Sequence, residues 1–245
     1  MRHRLRNPNH RNLWGLLAAT VLFVGFVQRA WAGAEGRTGA KPAGGATVGG
    51  SPPAADIVQR FESSYRGVRT LKAVFTQESS AWGRVRTESG IVYLQRGGKM
   101  RWEYQKPEPK LFLSDGKNVL LYVPAEKQLT RTPLKASDDV RVPLDLLLSH
   151  LSLRRAFSRV ELAADEAPLD PGDYVLRAYP KRGYEQDYRD VLVELTPSFD
   201  IRRLMITYPD ETSMKFIFER IARNASVPES LFEFTPPAGT EVIQQ

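Results

Sequence analysis

The segments LKAVFTQ (Leu71–Gln77), GIVYLQRGGKMRWEYQKPEP (Gly90–Pro109) and LFLSDG (Leu111–Gly116) decide the fold. Their apolar residues recur with a period of two, the spacing of a half-buried strand and not of a helix. Phe75, Tyr93, Met100, Trp102 and Tyr104 are therefore expected to line one face of a sheet. Short polar connections separate the segments: Gly97-Gly98, Pro107-Glu108-Pro109 and Asp115-Gly116. Glycine admits positive φ and proline presets φ, so these are turns, and sequential strands joined by tight turns make an antiparallel meander. One apolar face of that size needs a cover, from a partner, a ligand or the chain's own helices. The pattern points to a binding surface, not a catalytic centre.

Working outward, the same period predicts strands over 71–80, 84–96, 99–105, 110–114, 118–123 and 127–132, then over 159–164, 173–179, 190–196, 200–208 and 212–221. A helix is expected before them, N-capped by Asp56, with Ile57, Phe61, Tyr65 and Val68 on one face and Gly67 near its end. Between the two groups of strands, Pro143 opens a leucine-rich helix whose apolar stripe is Leu144, Leu147, Leu148 and Leu151. A second short helix includes Arg154 to Phe157. The closing run Leu231-Phe232-Glu233-Phe234-Thr235-Pro236-Pro237 cannot continue a central strand, so it lies at an edge or leaves the sheet. The fold class is mainly β with a few helices (α+β). A curved antiparallel sheet of about eleven strands is too large to stay flat and forms an incomplete half-barrel with helices on its concave side. Such a shape encloses an apolar pocket.

The N-terminus reads as a targeting segment. Arg2, Arg4, Arg6 and Arg11 precede an apolar run of 15 residues, Leu13–Val27, and Ala30-Trp31-Ala32 follows. This is the layout of a secretory signal cleaved after Ala32. The run is short for a bilayer-spanning helix, which needs about 20 residues; an uncleaved anchor is the alternative. The first 32 residues hold five arginines and no acid, so without them the formal charge falls from +7 to +2. A near-neutral exported chain is no nucleic-acid binder held by a broad basic field, although Arg84, Arg86, Arg96, Lys99 and Arg101 flank Tyr93 and Trp102. Residues 33–54, rich in Gly, Ala and Pro, read as a flexible linker, and 55–245 as one domain. The chain has no cysteine, so neither a disulfide nor acylation at a lipobox cysteine is available to it.

Catalytic patterns are missing. His150 is the one histidine beyond the leader, no G-x-S-x-G elbow accompanies it, and no phosphate-binding glycine loop is present. No metal or cofactor is expected. Asp138-Asp139 and the group Asp165, Glu166, Asp170 and Asp173 read as solvated loop acids.

Several separated motifs nevertheless stand in a telling order: Leu71-x-x-x-Phe75-x-Gln77, Gly90-x-x-Tyr93-x-x-Arg96, Met100-Arg101-Trp102-x-Tyr104, Pro107-x-Pro109 leading to Leu113-Ser114-Asp115-Gly116, Leu121-Tyr122-x-Pro124, and Phe232-x-Phe234-Thr235-Pro236-Pro237-x-Gly239. In them the chain, over about residues 56–243, resembles the LolA family of periplasmic lipoprotein carriers. The resemblance implies a half-barrel of eleven strands with helices as a lid, and an apolar cavity that shields lipoprotein acyl chains. It places the cavity or cargo transfer on Phe75, Tyr93, Met100, Trp102, Tyr104, Leu144, Leu147, Leu148 and Leu151. A strand arginine that latches the lid through its backbone falls on Arg96, and a family aromatic four positions later falls on Met100. Gly97-Gly98 replaces the proline that usually follows the arginine. The implied partners are acylated lipoproteins, an ATP-driven releasing transporter in the inner membrane and an outer-membrane acceptor, with the protein a periplasmic monomer and not an enzyme. Read from the residues alone, Arg96 is a surface charge, and Trp102 and the leucine stripe are core. Other functions to weigh are a periplasmic lipid-binding sensor or acceptor of related fold, or a lipid-active hydrolase using His150.

Overall fold

The computed structural model of this chain describes residues 52–134 and 152–245. The expected leader and most of the linker lie outside the described residues, as do Asp138-Asp139, Leu144, Leu147, Leu148, His150 and Leu151. Residues Pro53–Gln245 group as one compact unit.

Helix α1 (Ala54–Tyr65) opens the described chain. Its N-cap is Pro53, whose side chain offers no oxygen, and Asp56 lies inside the first turn instead of capping it. There the carboxylate still faces the positive end of the helix dipole. The buried side chains are Ile57, Val58, Phe61 and Tyr65; Val68 falls beyond the helix end and is half-buried. Further on, α2 (Leu153–Ala156) is a single turn that packs against α1.

The strands are β1 (Thr70–Ala81), β2 (Arg84–Gln95), β3 (Lys99–Lys106), β4 (Lys110–Asp115), β5 (Asn118–Val123), β6 (Gln128–Pro133), β7 (Arg159–Leu162), β8 (Tyr174–Tyr179), β9 (Asp190–Leu195), β10 (Ile201–Thr207), β11 (Ser213–Arg223) and β12 (Glu241–Gln244). They form one open sheet in the order β12-β6-β5-β4-β3-β2-β1-β11-β10-β9-β8-β7. Eleven are the strands that the period of two predicts. The twelfth is an addition: β12 returns after Pro236-Pro237 and pairs in parallel with β6, covering that edge. Every other pairing is antiparallel.

Register assigns the two faces. Phe75 stands opposite Gly90 on one side and Phe218 on the other. Gly90 pairs with Tyr104, Val92 with Trp102 and Leu94 with Met100. Gln77 pairs with Phe216, and Leu204 with Phe216 and Val193. These residues share one face, and Phe75, Val92, Met100, Trp102, Tyr104, Phe216 and Phe218 are buried on it. Tyr93 does not join them. It pairs with Lys72 and Arg101 on the opposite face, where Lys72 Nζ lies 5.4 Å from its ring centre. The expectation of five large residues on one face therefore holds for four. The side of a residue alternates within a strand, and the three-residue β2–β3 connection carries Met100 and Tyr93 to opposite sides.

The opposite face has its own cover. Over β4–β6 it buries Leu111, Leu113, Leu120 and Leu129, with Tyr122 and Phe234 packed against them. The chain reaches there through a 3-10 turn, Glu229–Phe232, which packs on β3 and β4. Arg101 Nη1 donates to Leu231 O at 3.0 Å, and the rings of Tyr122 and Phe234 lie 5.0 Å apart.

Candidate functional site

The aromatic face is a connected cluster. Phase alternation brings Phe75 from β1 between Trp102 and Tyr104 of β3, across the gap left by Gly90. Its ring meets Trp102 edge-on at 4.8 Å and Tyr104 at 5.0 Å. Trp102 continues to Phe216 at 5.3 Å and Phe218 at 6.1 Å. Edge-to-face and tilted pairs at these separations suit the ring quadrupoles. Met100 is fully buried beside them and adds a flexible, polarisable side chain. Trp102 Nε1 is buried without a hydrogen-bond partner. Phe216 and Phe218 are the members that the period identified only as strand residues; their place on this face depends on the β1–β11 register, a pairing about 140 residues long in sequence.

One margin of the cluster is polar. Tyr104 OH donates to Gln77 Oε1 at 2.7 Å, and Gln77 Nε2 donates to Ser79 Oγ at 3.2 Å. Lys110 Nζ donates to both oxygens of buried Glu88, at 2.7 and 2.9 Å, and lies 4.2 Å from the Tyr104 ring centre. Arg86 Nη2 reaches the same carboxylate at 3.1 Å. Burial pushes the Lys110 ammonium down from its ordinary range, and Glu88 opposes that shift. Burial pushes the Tyr104 hydroxyl strongly up, with the Glu88 charge adding to it.

The other margin is where Arg96 stands. Its Nη2 donates to Tyr65 O at 3.3 Å and also to Arg66 O. Those carbonyls belong to the last turn of α1 and its C-cap, where no intrahelical donor remains, and a cation there complements the dipole. The backbone supports this placement: Arg96 N donates to Arg69 O at 3.0 Å. After Arg96 the chain turns through Gly97 and Gly98, both at positive φ. Ser114 Oγ ties the turn by donating to Gly98 O at 2.8 Å. A side chain at Gly116 would put Cβ 2.7 Å from Gly97 O, so the two turns fit only because Gly116 lacks one. Tyr65 itself is held by Asp200 and by Arg223, whose guanidinium carbon lies 4.3 Å from its ring centre.

The loop acids are not simply solvated. Asp173 is buried and pairs with Arg202, which also meets Asp170 at 2.8 Å. Asp165 accepts from Arg177 through both oxygens at 2.8 Å. Glu194 of β9, fully buried, takes Leu169 N–H at 2.6 Å and lies 2.7 Å from Arg203 Nε. That last contact is coulombic and not aligned as a hydrogen bond. The network ties the 163–173 loop to β9 and β10, and Ala163 at its start is buried with Val175 and Leu192. The basic residues flanking Tyr93 and Trp102 are also engaged: Arg86 with Glu88, Lys99 with Glu229 and Arg101 with Glu103. They form no continuous basic groove.

An open antiparallel sheet with a buried aromatic face, a polar margin and a helix tied by one arginine defines a binding protein of the half-barrel class. A family model described as outer membrane lipoprotein carrier protein LolA matches residues 66–235, and the chain belongs to that family, whose members are periplasmic carriers and not enzymes. An outer-membrane lipoprotein carrier protein from Methylococcus capsulatus is 30% identical over 187 residues, 76% of this chain and 86% of that protein. One from Dechloromonas aromatica is 29% identical over 192 residues, 77% of this chain and 88% of that protein. The fold is similar to that of a conserved protein from Thermus thermophilus, with a TM-score of 0.50 at 15% identity, covering 78% of this chain and 99% of that one.

Proposed function

We propose that the protein, exported and cleaved after Ala32, receives acylated lipoproteins from an ATP-driven transporter in the inner membrane. It then carries them as a monomer to an outer-membrane acceptor. The observation that carries this reading is the aromatic face: Phe75, Met100, Trp102, Tyr104, Phe216 and Phe218 buried together on one side of an open sheet. Acyl chains need such a face. Each methylene withdrawn from water is worth about 0.8 kcal/mol, so a palmitoyl chain gains on the order of 12 kcal/mol by lying on it. Met100 and the aromatic rings line the acyl site, and Leu144, Leu147, Leu148 and Leu151 complete it from the leucine-rich segment. Tyr93, on the opposite face, serves docking or packing and not the acyl site. Arg96 latches α1 by its C-terminal carbonyls while the carrier is empty, and cargo entry breaks those bonds.

The test is native purification of the exported protein followed by mass spectrometry of what it carries. Acylated lipoproteins are expected. Recovery of a lipoprotein at undiminished yield after its acylated cysteine is replaced would overturn the acyl-binding reading.

A further inference from the structure

The β1–β2 hairpin runs on past β3 on one side, while on the other β11 pairs with β1 as far as Ser80. Strand β2 begins at Arg84, but β3 pairs with it only from Ser89 onward. Residues Arg84–Glu88 therefore run on past β3 for about 16 Å at the usual rise per strand residue. Ala81 pairs with Arg84, closing a two-residue turn of Trp82 at φ 49° and Gly83 at φ 75°. Trp82 is 90% exposed and Val85 64%. A left-handed φ at such a turn is a position for Gly, Asn or Asp, and a bulky side chain there is strained. No ring or cation contact to Trp82 occurs among the described residues. At 90% exposure the indole adds little to the packing of the described residues, and that points to a use outside the fold.

The tip segment itself carries charge of one sign. From Ala81 to Thr87 there are two arginines and no acid. Three neighbouring acids are ion-paired: Glu88 with Lys110 and Arg86, Glu78 with Lys215 at 2.6 Å and Glu211 with Arg189; Asp210 bonds the neutral Thr212. A protein interface needs about 1,000 Å² of buried surface, far more than one ring and one valine at a narrow tip supply. A bilayer needs no complementary pocket. Indoles concentrate at the headgroup level because they are apolar with one N–H donor, and arginines pair with lipid phosphates.

We propose that the hairpin tip, Trp82 to Arg86, is a membrane-contact element that seats in the headgroup layer of a bilayer carrying anionic lipid. Trp82 and Val85 enter the interface, and Arg84 meets a phosphate. The inference does not depend on the acyl-cargo reading, since vesicle binding is measured without cargo.

The experiment is flotation of the exported protein with vesicles of phosphatidylethanolamine and phosphatidylglycerol at 3:1, with phosphatidylcholine vesicles as the neutral comparison. The informative variant is Trp82→Asn, because Asn-Gly is a favoured pair for this turn and the hairpin is kept. Wild type is expected to float with the anionic vesicles, with a blue shift in tryptophan emission and weaker acrylamide quenching. Trp102, only 3% exposed, contributes little to either change. Trp82→Asn is expected to lower partitioning on the order of tenfold and abolish the blue shift. Arg84→Ser is expected to lower it about fivefold at low salt. Failure of wild type to float, or equal flotation of Trp82→Asn, overturns the proposal. So does loss of cargo transfer in Trp82→Asn without vesicle binding by wild type, which would assign the tip to a protein partner.

Discussion

Gly90 shows how closely single residues are constrained on the aromatic face. It sits at a bulge between β2 and β3, opposite Phe75 and Tyr104. A Cβ there would lie 1.9 Å from Glu103 O, a backbone atom that no rotamer change can move aside. Gly90→Ala is expected to destabilise the protein by about 3 kcal/mol, the upper range for overpacking, and to lower Tm by about 10 °C. A melting curve within a degree or two of wild type would show that the bulge can shift. Arg96 poses the opposite case, because it is exposed and its bonds run to two backbone carbonyls at the end of α1. Arg96→Leu is expected to leave the denaturation midpoint almost unchanged. It should instead speed amide hydrogen exchange in the last turn of α1, residues 61–66, and Arg96→Lys should fall between the two. Unchanged exchange in Arg96→Leu would remove the latch.

At the scale of elements, the strapped loop over β8–β10 holds the most consequential buried charges. Burial raises the Glu194 carboxyl above its ordinary range, and Asp173 nearby pushes the same way, while Leu169 N–H and Arg203 pull it down. A carboxyl whose folded pKa is raised favours the folded state in its neutral form. Its ionisation therefore costs stability as pH rises above the unfolded value, and acid relieves that cost. Arg203→Met strips the cation and enlarges the cost. The variant is expected to lose about 3 kcal/mol at pH 8, and the gap to wild type should narrow at pH 5. Urea titrations at the two pH values would measure it; an equal gap at both would mean that Glu194 finds another partner. The period of two located eleven strands because each alternates over five or more residues or sits between clear turns. It could not see β12, where Glu241-Val242-Ile243-Gln244 is too short to show alternation and pairs in parallel with a strand more than a hundred residues earlier. It placed Tyr93 on the wrong face because the parity of a residue across a turn depends on loop length, not on spacing alone. Asp173 reads as an ordinary acid because its arginine partner, Arg202, becomes a neighbour only in the folded chain. The contact of Arg96 with the end of α1 was suggested only by the resemblance; the Arg66 carbonyl it meets lies 30 residues away, beyond any local pattern.

At the scale of the whole molecule, three buried tyrosines tie distant regions to one titration. Tyr65 joins α1 to Asp200 and Arg223, Tyr104 anchors the polar margin of the aromatic face, and Tyr188 packs against Phe157. Burial lifts the Tyr65 hydroxyl to about 12, with Arg223 opposing and Asp200 adding to the shift. Burial also raises Tyr104 and Tyr188, each helped by neighbouring acids. The unfolded chain releases these protons near pH 10, whereas the folded chain retains them. Above pH 10 the unfolded state therefore binds fewer protons, and stability falls as pH rises, by about 1.4 kcal/mol per pH unit for each tyrosine. Three together remove about 4 kcal/mol per unit, enough to exhaust the 5–15 kcal/mol of a typical domain within a few pH units. The expected result is one cooperative alkaline transition in which the step in tyrosinate absorbance from these three of the nine tyrosines coincides with loss of far-ultraviolet circular dichroism. Tyr188→Phe removes one of the three protons and should move that transition to higher pH while leaving stability at pH 7 nearly unchanged. If Tyr104 ionises before the β signal is lost, the aromatic face is open to hydroxide. It would then also be open to water in the folded, empty protein, and an acyl chain arriving there would gain less than a dry face offers.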